Sequence, residues 1–209
     1  AAARPTSDSV TPRAGGRAHG GLRLHGLLGS VAAHAGLVGG HVEADESGAM
    51  NEWLAVAPDA TVVQGLIGVM VSLGDLADRP PRALGDGELL DIGGHTVQWL
   101  DTPHVPHGWE AGLMYDVTTG TLLCGDLFTR LGEFVATSDD DVVGPAVVAE
   151  DTMSGSFSLH PGSADTIRRL AELDVQTLAP MHAPAYSADC RKALLELAED
   201  FDRRVHALV

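Results

Sequence analysis

The sequence predicts a layered α/β fold in which strand hairpins alternate with amphipathic helices. Two short turns that contain glycine, at 93–94 and 118–120, each separate two apolar runs, which is the pattern of a β-hairpin. Two later segments repeat apolar residues at helical spacing, and no internal repeat of fixed period is present. Helices and hairpins mixed in this way form packed layers around a core.

Residues 1–40 differ in composition from the rest of the chain. They contain nine glycines, eight alanines and four arginines, and Asp8 is the only acid. We expect a flexible or truncated segment over 1–35, although 27–38 has room for one strand or helix. A targeting leader is the alternative, but nothing in the segment resembles a cleavage site. The folded domain is therefore predicted to cover 36–209.

The first half of this domain alternates between helical and extended patterns. A helix is predicted over 46–57, with Trp53 on its apolar face. The β-branched run 61–64 predicts a strand, and the apolar run 66–73 predicts a buried helix. The proline-containing stretch 78–83 predicts a loop.

The second half contains both hairpins and two long helices. The hairpins pair 88–92 with 96–100 and 112–117 with 121–124. Ser163 is predicted to cap a helix over 164–173, and a strand follows at 175–178. Ser187 is predicted to cap the last helix, whose apolar stripe contains Cys190, Leu194, Leu197, Phe201 and Val205.

Composition excludes several classes of protein. The 209 residues include 13 Lys and Arg but 29 Asp and Glu, a formal net charge of −16 that disfavours a nucleic-acid partner. Two cysteines are too few for a disulfide framework or a thiolate cluster. No apolar run approaches the roughly 20 residues of a membrane span. We expect a soluble, cytoplasmic protein that does not bind membranes.

Four clusters of potential metal ligands follow predicted strand ends. In the first, His41, Glu43 and Asp45 alternate with small or apolar residues, so an extended backbone would place all three on one side. The other clusters contain His104 and His107, then Asp126, then His182. Three imidazoles and three carboxylates would over-supply one ion but suit two metals that share a bridging carboxylate.

The order of these residues resembles a known family. His-x-Glu-x-Asp, then His107, then Asp126 nineteen residues later, then His182 resembles the metallo-β-lactamase fold. Within it the chain is most similar to the diiron domain of flavodiiron proteins and to stand-alone oxygen-binding diiron proteins. The resemblance covers about 36–206 and implies an αβ/βα sandwich whose N-terminal strands are incomplete.

The first motif favours the diiron branch. Zinc hydrolases of this fold typically read His-x-His-x-Asp-His, whereas Glu43 replaces the middle histidine here and Glu46 occupies the last position. In the diiron branch that last position is generally not a ligand. Loss of the histidine there is therefore compatible with iron, but it would remove a zinc ligand.

The resemblance also implies a role for each residue. His41, Glu43 and His107 would hold one metal, Asp45 and His182 the other, and Asp126 would bridge them. Asp45 and Asp126 would take part in catalysis. The interval to Asp126 favours His107 over His104, which is expected as a donor to the ligands or a rim residue. Trp109 and Tyr115 are expected to pack around the site.

Three readings of the function follow from the resemblance. The first is a diiron, oxidoreductase-like protein that binds or reduces O2 or NO. Because we expect no flavin in this chain, the electrons would come from a separate redox partner. By analogy with diiron relatives, the resemblance also implies a homodimer. The alternative is a hydrolase of esters, thioesters or amides, in which zinc holds the attacking hydroxide. A non-catalytic protein that keeps the metals as a structural clip is the third reading.

Overall fold

The computed structural model describes residues 36–37 and 40–208, and within them the chain forms two sheets with helices on their outer faces. The first sheet is parallel and contains β1 (Gly36–Leu37), β2 (Val62–Gly65) and β3 (Arg82–Leu84). Parallel strands need crossover connections, which are helical here. They are α1 (Ala44–Ser47), α2 (Met50–Val56) and α3, which joins Leu66–Gly68, the π-helical Val69–Leu73 and Gly74–Leu76.

The second sheet has five strands whose spatial order follows the chain. They are β4 (Leu89–Asp91), β5 (Thr96–Asp101), β6 (Gly112–Asp116), β7 (Thr121–Leu123) and β8 (Thr177–Ala179). The strands are antiparallel up to β7, and β8 lies parallel to β7. The remaining helices are α4 (Val143–Thr152) and α5 (Ser163–Leu170) before β8, and α6 (Cys190–His206) after it.

The apolar clusters of the described residues show which layers pack together. One cluster joins the two sheets and contains Val63, Leu84, Ile92, Val97, Trp99 and Met114. Another packs α2 and α3 against the first sheet through Leu54, Ala60, Val62 and Leu73. A larger one packs α5 and α6 against the second sheet and includes Leu113, Leu122, Ile167, Leu178, Leu197 and Phe201. The predicted αβ/βα sandwich is confirmed.

Both predicted hairpins and the late helices are confirmed, but the first half is partly different. The helix predicted over 46–57 is two helices, α1 and α2, and Trp53 is exposed. The helix predicted over 66–73 exists, but its predicted burial is wrong, because Leu66 and Met70 are exposed. Only one face of α3 covers the sheet.

Other local predictions are also wrong. Ser163 lies inside α5, and its hydroxyl donates to the Ser158 carbonyl. Asp189, not Ser187, caps α6 by accepting the Lys192 N–H. Part of the predicted loop 78–83 becomes β3, because these residues pair with β2. Helix α4 escapes prediction because its apolar residues are spread around the helix and form no stripe.

The predictions for the N-terminal segment stay predictions. Residues 1–35 lie outside the described residues, and so does most of the 27–38 segment except β1. The division at residue 36 and the incomplete N-terminal strands are therefore untested. Within residues 40–208 no helix is both long and apolar enough to cross a bilayer.

Two glycines let the sheets meet beside the first ligand segment. The Gly112 N–H donates to the Gly40 carbonyl at 2.8 Å. A Cβ on Gly40 would lie 2.4 Å from the Gly112 oxygen, and a Cβ on Gly112 would lie 2.0 Å from Cζ2 of the buried Trp99. This close approach holds residue 41 against the end of the second sheet.

We expect Gly112→Ala to lower the free energy of unfolding by about 1–3 kcal/mol, because the added methyl group must displace the Trp99 ring. Urea unfolding measures this loss. Gly85→Ala is the control, because its Cβ would be 3.8 Å from the nearest side-chain atom and should change stability by no more than about 0.5 kcal/mol. Equal losses in the two variants would contradict the argument.

Candidate metal centre

Six side chains with metal-binding groups lie where strands of the two sheets end. His41 follows β1, His107 follows β5, Asp126 follows β7, His182 follows β8, and Glu43 and Asp45 come directly after His41. The pairing of β7 with β8 continues past both strands, because the Met181 N–H donates to the Gly125 carbonyl at 2.9 Å. This extension keeps Asp126 and His182 next to each other.

The first ligand segment does not have the extended shape that its alternation predicts. Glu43 is extended, with φ −123° and ψ 166°, but it is the N-cap residue of α1, and Asp45 lies in the first turn of that helix. Acidic residues at a helix N-terminus interact favourably with the helix dipole. Asp45 therefore reaches the cluster from a helix, whereas His41 and Glu43 reach it from extended backbone.

One half of the cluster is formed by two histidines and two acids. The ligand atoms of His41, Glu43, His107 and Asp126 all lie within 4.8 Å of one another. Asp126 Oδ2 is 3.1 Å from His107 Nε2 and 3.5 Å from His41 Nε2. The Glu43 carboxylate is 3.7 Å from His41 Nε2 and 3.8 Å from His107 Nε2. These separations suit atoms that each sit about 2 Å from one shared ion.

The other half is formed around His182. Its Nε2 lies 3.3 Å from Asp126 Oδ1 and 3.1 Å from Asp45 Oδ2. The two oxygens of Asp126 thus face different groups: Oδ2 faces His41 and His107, and Oδ1 faces His182. This is the arrangement that a carboxylate bridging two cations requires.

Glu46 belongs to the site, although sequence reasoning gave it no role. Its side chain is 1% exposed, and its Oε2 accepts the backbone N–H of His41 at 2.9 Å. Its Oε1 lies 3.5 Å from His41 Nδ1. The signal in the sequence was an acid at the position where the zinc enzymes of the fold have histidine.

The electrostatics of the cluster centre on Asp126. Burial acts to raise the pKa of Asp126, but hydrogen bonds with His107 and His182 outweigh it and hold the pKa well below its usual range. The same hydrogen bonds raise the pKa values of His107 and His182 above 6.5. Asp126 is therefore ionised at neutral pH, and two of its histidine partners are more basic than usual.

Burial shifts the pKa values of the two innermost groups, His41 and Glu46, in opposite directions. It lowers the pKa of His41, and the neighbouring His107 lowers it further against the pull of the carboxylates. Burial raises the pKa of Glu46 to about 7, opposed by the hydrogen bond from the His41 backbone. His41 is accordingly a neutral imidazole at physiological pH, which is the form that binds metals.

A buried ligand atom without a hydrogen-bond partner indicates that these residues fit a metal centre. His41 Nε2 is buried and has no hydrogen-bond partner among the described residues. An unpaired buried polar atom costs free energy, and a cation would satisfy it. Three carboxylates with neutral imidazoles are a donor set for divalent cations that prefer oxygen and nitrogen.

Three residues that the sequence analysis placed around the ligands make their main contacts elsewhere or are exposed. The ring of His104 stacks on His160 with centroids 4.7 Å apart, so it is His107 that joins the cluster. Tyr115 is directed elsewhere, because its hydroxyl donates to the Asp174 carbonyl near the start of β8. Trp109 is 58% exposed and so contributes little packing around the ligands.

Comparison with curated proteins finds diflavin flavoproteins. The chain is 33% identical over 155 residues to diflavin flavoprotein A 1 of Nostoc sp., which is 71% of this chain and 26% of that protein. The corresponding protein of Thermosynechococcus vestitus is 30% identical over 156 residues, with the same coverage. The chain thus spans about a quarter of the length of these relatives. No protein-family model matches it.

Comparison with solved structures finds flavodiiron cores. The Flv1 flavodiiron core of Synechocystis sp. PCC6803 superposes with a TM-score of 0.64 at 20% identity, over 88% of this chain and 46% of that one. Rubredoxin oxygen:oxidoreductase of Desulfovibrio gigas gives 0.66 at 16% identity, over 89% and 48%. The predicted resemblance to the metallo-β-lactamase-like core of flavodiiron proteins is confirmed at the level of fold.

Proposed function

We propose that this domain holds two iron ions and binds O2 or NO there, reducing the bound gas when an external donor supplies electrons. The observation that carries the proposal is that the two carboxylate oxygens of Asp126 face two different groups of potential ligands. In the proposal His41, Glu43 and His107 would hold one ion, Asp45 and His182 would hold the other, and Asp126 would be shared by both. A pair of ferrous ions, when bound, supplies the electrons that first reach the gas.

The number and grouping of the donors support two divalent cations. Glu43, Asp45 and Asp126 carry three negative charges in one cluster, and the three imidazoles bind metals as neutral groups. Charge is close to balanced with either number of ions, because two divalent ions would leave +1 and one would leave −1. Six donors in two groups that share Asp126 therefore match a dinuclear site better than a mononuclear one.

Glu43 favours iron over zinc within this proposal. Its carboxylate lies between the Nε2 atoms of His41 and His107, at 3.7 and 3.8 Å. An oxygen donor at this position makes the site harder and more anionic than an imidazole would, which suits ferrous and ferric ions. Asp45 and Glu43 are about half exposed, so small molecules reach the cluster from their side.

In this proposal the electrons come from a separate redox partner. Both cysteines, Cys124 and Cys190, are buried and free, so they offer no exposed redox pair. The relatives from Nostoc sp. and Thermosynechococcus vestitus are named diflavin flavoproteins, which attributes flavin to those proteins. A flavin-bearing donor is thus the kind of redox partner that we propose for this domain.

Iron content and gas uptake test the proposal together. Protein prepared without oxygen is expected to contain two irons per chain, to change its near-ultraviolet absorption on exposure to O2, and to consume O2 with an artificial electron donor. Two zinc ions with ester turnover would instead establish the hydrolase. Two bound metals with neither O2 binding nor hydrolysis would indicate a structural clip and overturn the proposal.

Glu43→Ala is expected to reduce Fe(II) binding sharply, because it removes the carboxylate between the two histidines. Fe(II) per chain, measured after anaerobic loading and desalting, reports the loss. Glu52→Ala is the matched control, since Glu52 is exposed on α2 and lies outside the cluster. Unchanged stoichiometry in Glu43→Ala would remove Glu43 from the proposed ligands.

A further inference from the structure

A buried carboxylate behind a proposed ligand carries one further inference. Glu46 holds His41 at two points: its Oε2 accepts the backbone N–H at 2.9 Å, and its Oε1 lies 3.5 Å from the ring Nδ1. Both side chains are nearly inaccessible to solvent, at 1% and 3% exposed. One side chain thus lies against both the backbone N–H and the ring of His41.

The unpaired atoms indicate which hydrogen bond is intended. His41 Nδ1 and Glu46 Oε1 are both buried without a hydrogen-bond partner in the described part of the chain, and they lie 3.5 Å apart. A neutral imidazole carries its proton on one nitrogen only. A carboxylate facing Nδ1 favours the proton there, which leaves the Nε2 lone pair free on the side of Glu43 and Asp126.

We propose that Glu46 is a positioning residue that keeps the proton of His41 on Nδ1 and thereby directs the Nε2 lone pair at the metal centre. The inference rests on the proposed function, because Nε2 needs an ion to bind. Glu46 occupies the position at which zinc hydrolases of the fold have a ligand histidine. In this chain the residue acts through His41.

The variant Glu46→Gln reverses the proton preference without changing the shape of the side chain. The backbone N–H of His41 needs an acceptor, so the amide oxygen must take the place of Oε2. The amide NH2 group then faces Nδ1 and can only donate to it. Nδ1 becomes the acceptor, the proton moves to Nε2, and the lone pair that would bind the metal is lost.

Two measurements test the proposal. The first is the Fe(II) dissociation constant, determined without oxygen for the wild type, Glu46→Gln, Glu46→Ala and the exposed control Glu52→Gln. We expect Glu46→Gln to weaken binding about 10–100-fold and at least as much as Glu46→Ala, with the control unchanged. The second is the ¹⁵N chemical shifts of the His41 ring in metal-free protein at pH 8, which should show the proton on Nδ1 in the wild type and on Nε2 in Glu46→Gln.

The outcomes separate positioning from packing. If Glu46 only fills space and accepts the backbone N–H, Glu46→Gln will bind Fe(II) like the wild type while Glu46→Ala will not, and the proposal is overturned. The same ring tautomer in the wild type and Glu46→Gln also overturns it. If the wild type binds no Fe(II), the proposed function fails, and the ¹⁵N shifts alone still decide whether Glu46 sets the His41 proton.

Discussion

Asp126→Ala is expected to lose both metal ions, with a larger loss of affinity than the roughly 10–100-fold that removal of an outer partner costs. Its two oxygens lie 3.1–3.5 Å from the Nε2 atoms of all three histidines in the cluster. Removal of this carboxylate takes a ligand from each proposed ion and leaves the three imidazoles without their common partner. Fe(II) per chain after anaerobic loading should fall from two to near zero.

A matched control separates this effect from a general loss of stability. Asp116 is also buried and also pairs with a histidine, since its Oδ2 lies 2.7 Å from His95 Nδ1. Asp116 lies outside the metal-binding cluster. Asp116→Ala should therefore lower the melting temperature yet retain two ions per chain. Retention of two ions by Asp126→Ala would contradict its role as a bridge.

The affinity for each Fe(II) ion is expected to rise with pH by up to about 10-fold per pH unit below the pKa of its own histidine, which is His107 for one ion and His182 for the other. Hydrogen bonds with Asp126 raise both pKa values above 6.5, so both rings hold protons that an ion must displace. His41 contributes no proton, because burial lowers its pKa and keeps it neutral. Once the pH exceeds both raised values, binding releases no proton from these rings and the affinity levels off.

The stability of the metal-free protein should change with pH in the opposite direction. A histidine whose pKa is raised by folding stabilises the fold below 6.5, and this contribution fades as the pH rises through the raised value. The gain in melting temperature on adding Fe(II) should therefore be small at pH 6 and large at pH 8. Calorimetric titration in two buffers of different ionisation enthalpy would count the released protons.

His95→Gln provides the control for this pH dependence. It removes an imidazole that pairs with Asp116 and has no role in the cluster, so the slope of affinity against pH should not change. An affinity that is the same at pH 6 and pH 8 in the wild type would show that His107 and His182 do not bind the ions.

The identity of the potential ligands could be predicted from the sequence, but not all of their geometry. His41, Glu43, His107, Asp126 and His182 follow strand ends, and strand ends can be located from local apolar periodicity and turn residues. The approach of Asp45 could not be predicted, because the alternation at 41–45 resembles a strand while the backbone turns into α1. Asp45 and Glu46 lie in the first turn of α1, where the helix dipole favours acidic residues, and this preference outweighed the alternation.

The role of Glu46 shows a second limit of local reasoning. Its neighbours in sequence identify it only as an acid beside Asp45, and nothing local indicates that it is buried. Its burial and its contact with His41 arise when α1 is held against the end of the second sheet, where a Cβ on Gly125 would lie 3.3 Å from its Oε1. The approach to Gly125 joins segments that are far apart in the chain, and it depends on how complete elements pack.

The sequence by itself determined the α/β layers and the order of ligands along the chain, because periodicity and motifs can be read from the sequence alone. The resemblance carried by those motifs implied the sandwich and the likeness to flavodiiron cores. The resemblance also favoured His107 over His104. Only the tertiary structure decided that the two oxygens of Asp126 face different histidines and that Glu46 supports His41. The direction of each side chain depends on loops held in place by the packing of distant strands, which no local pattern encodes.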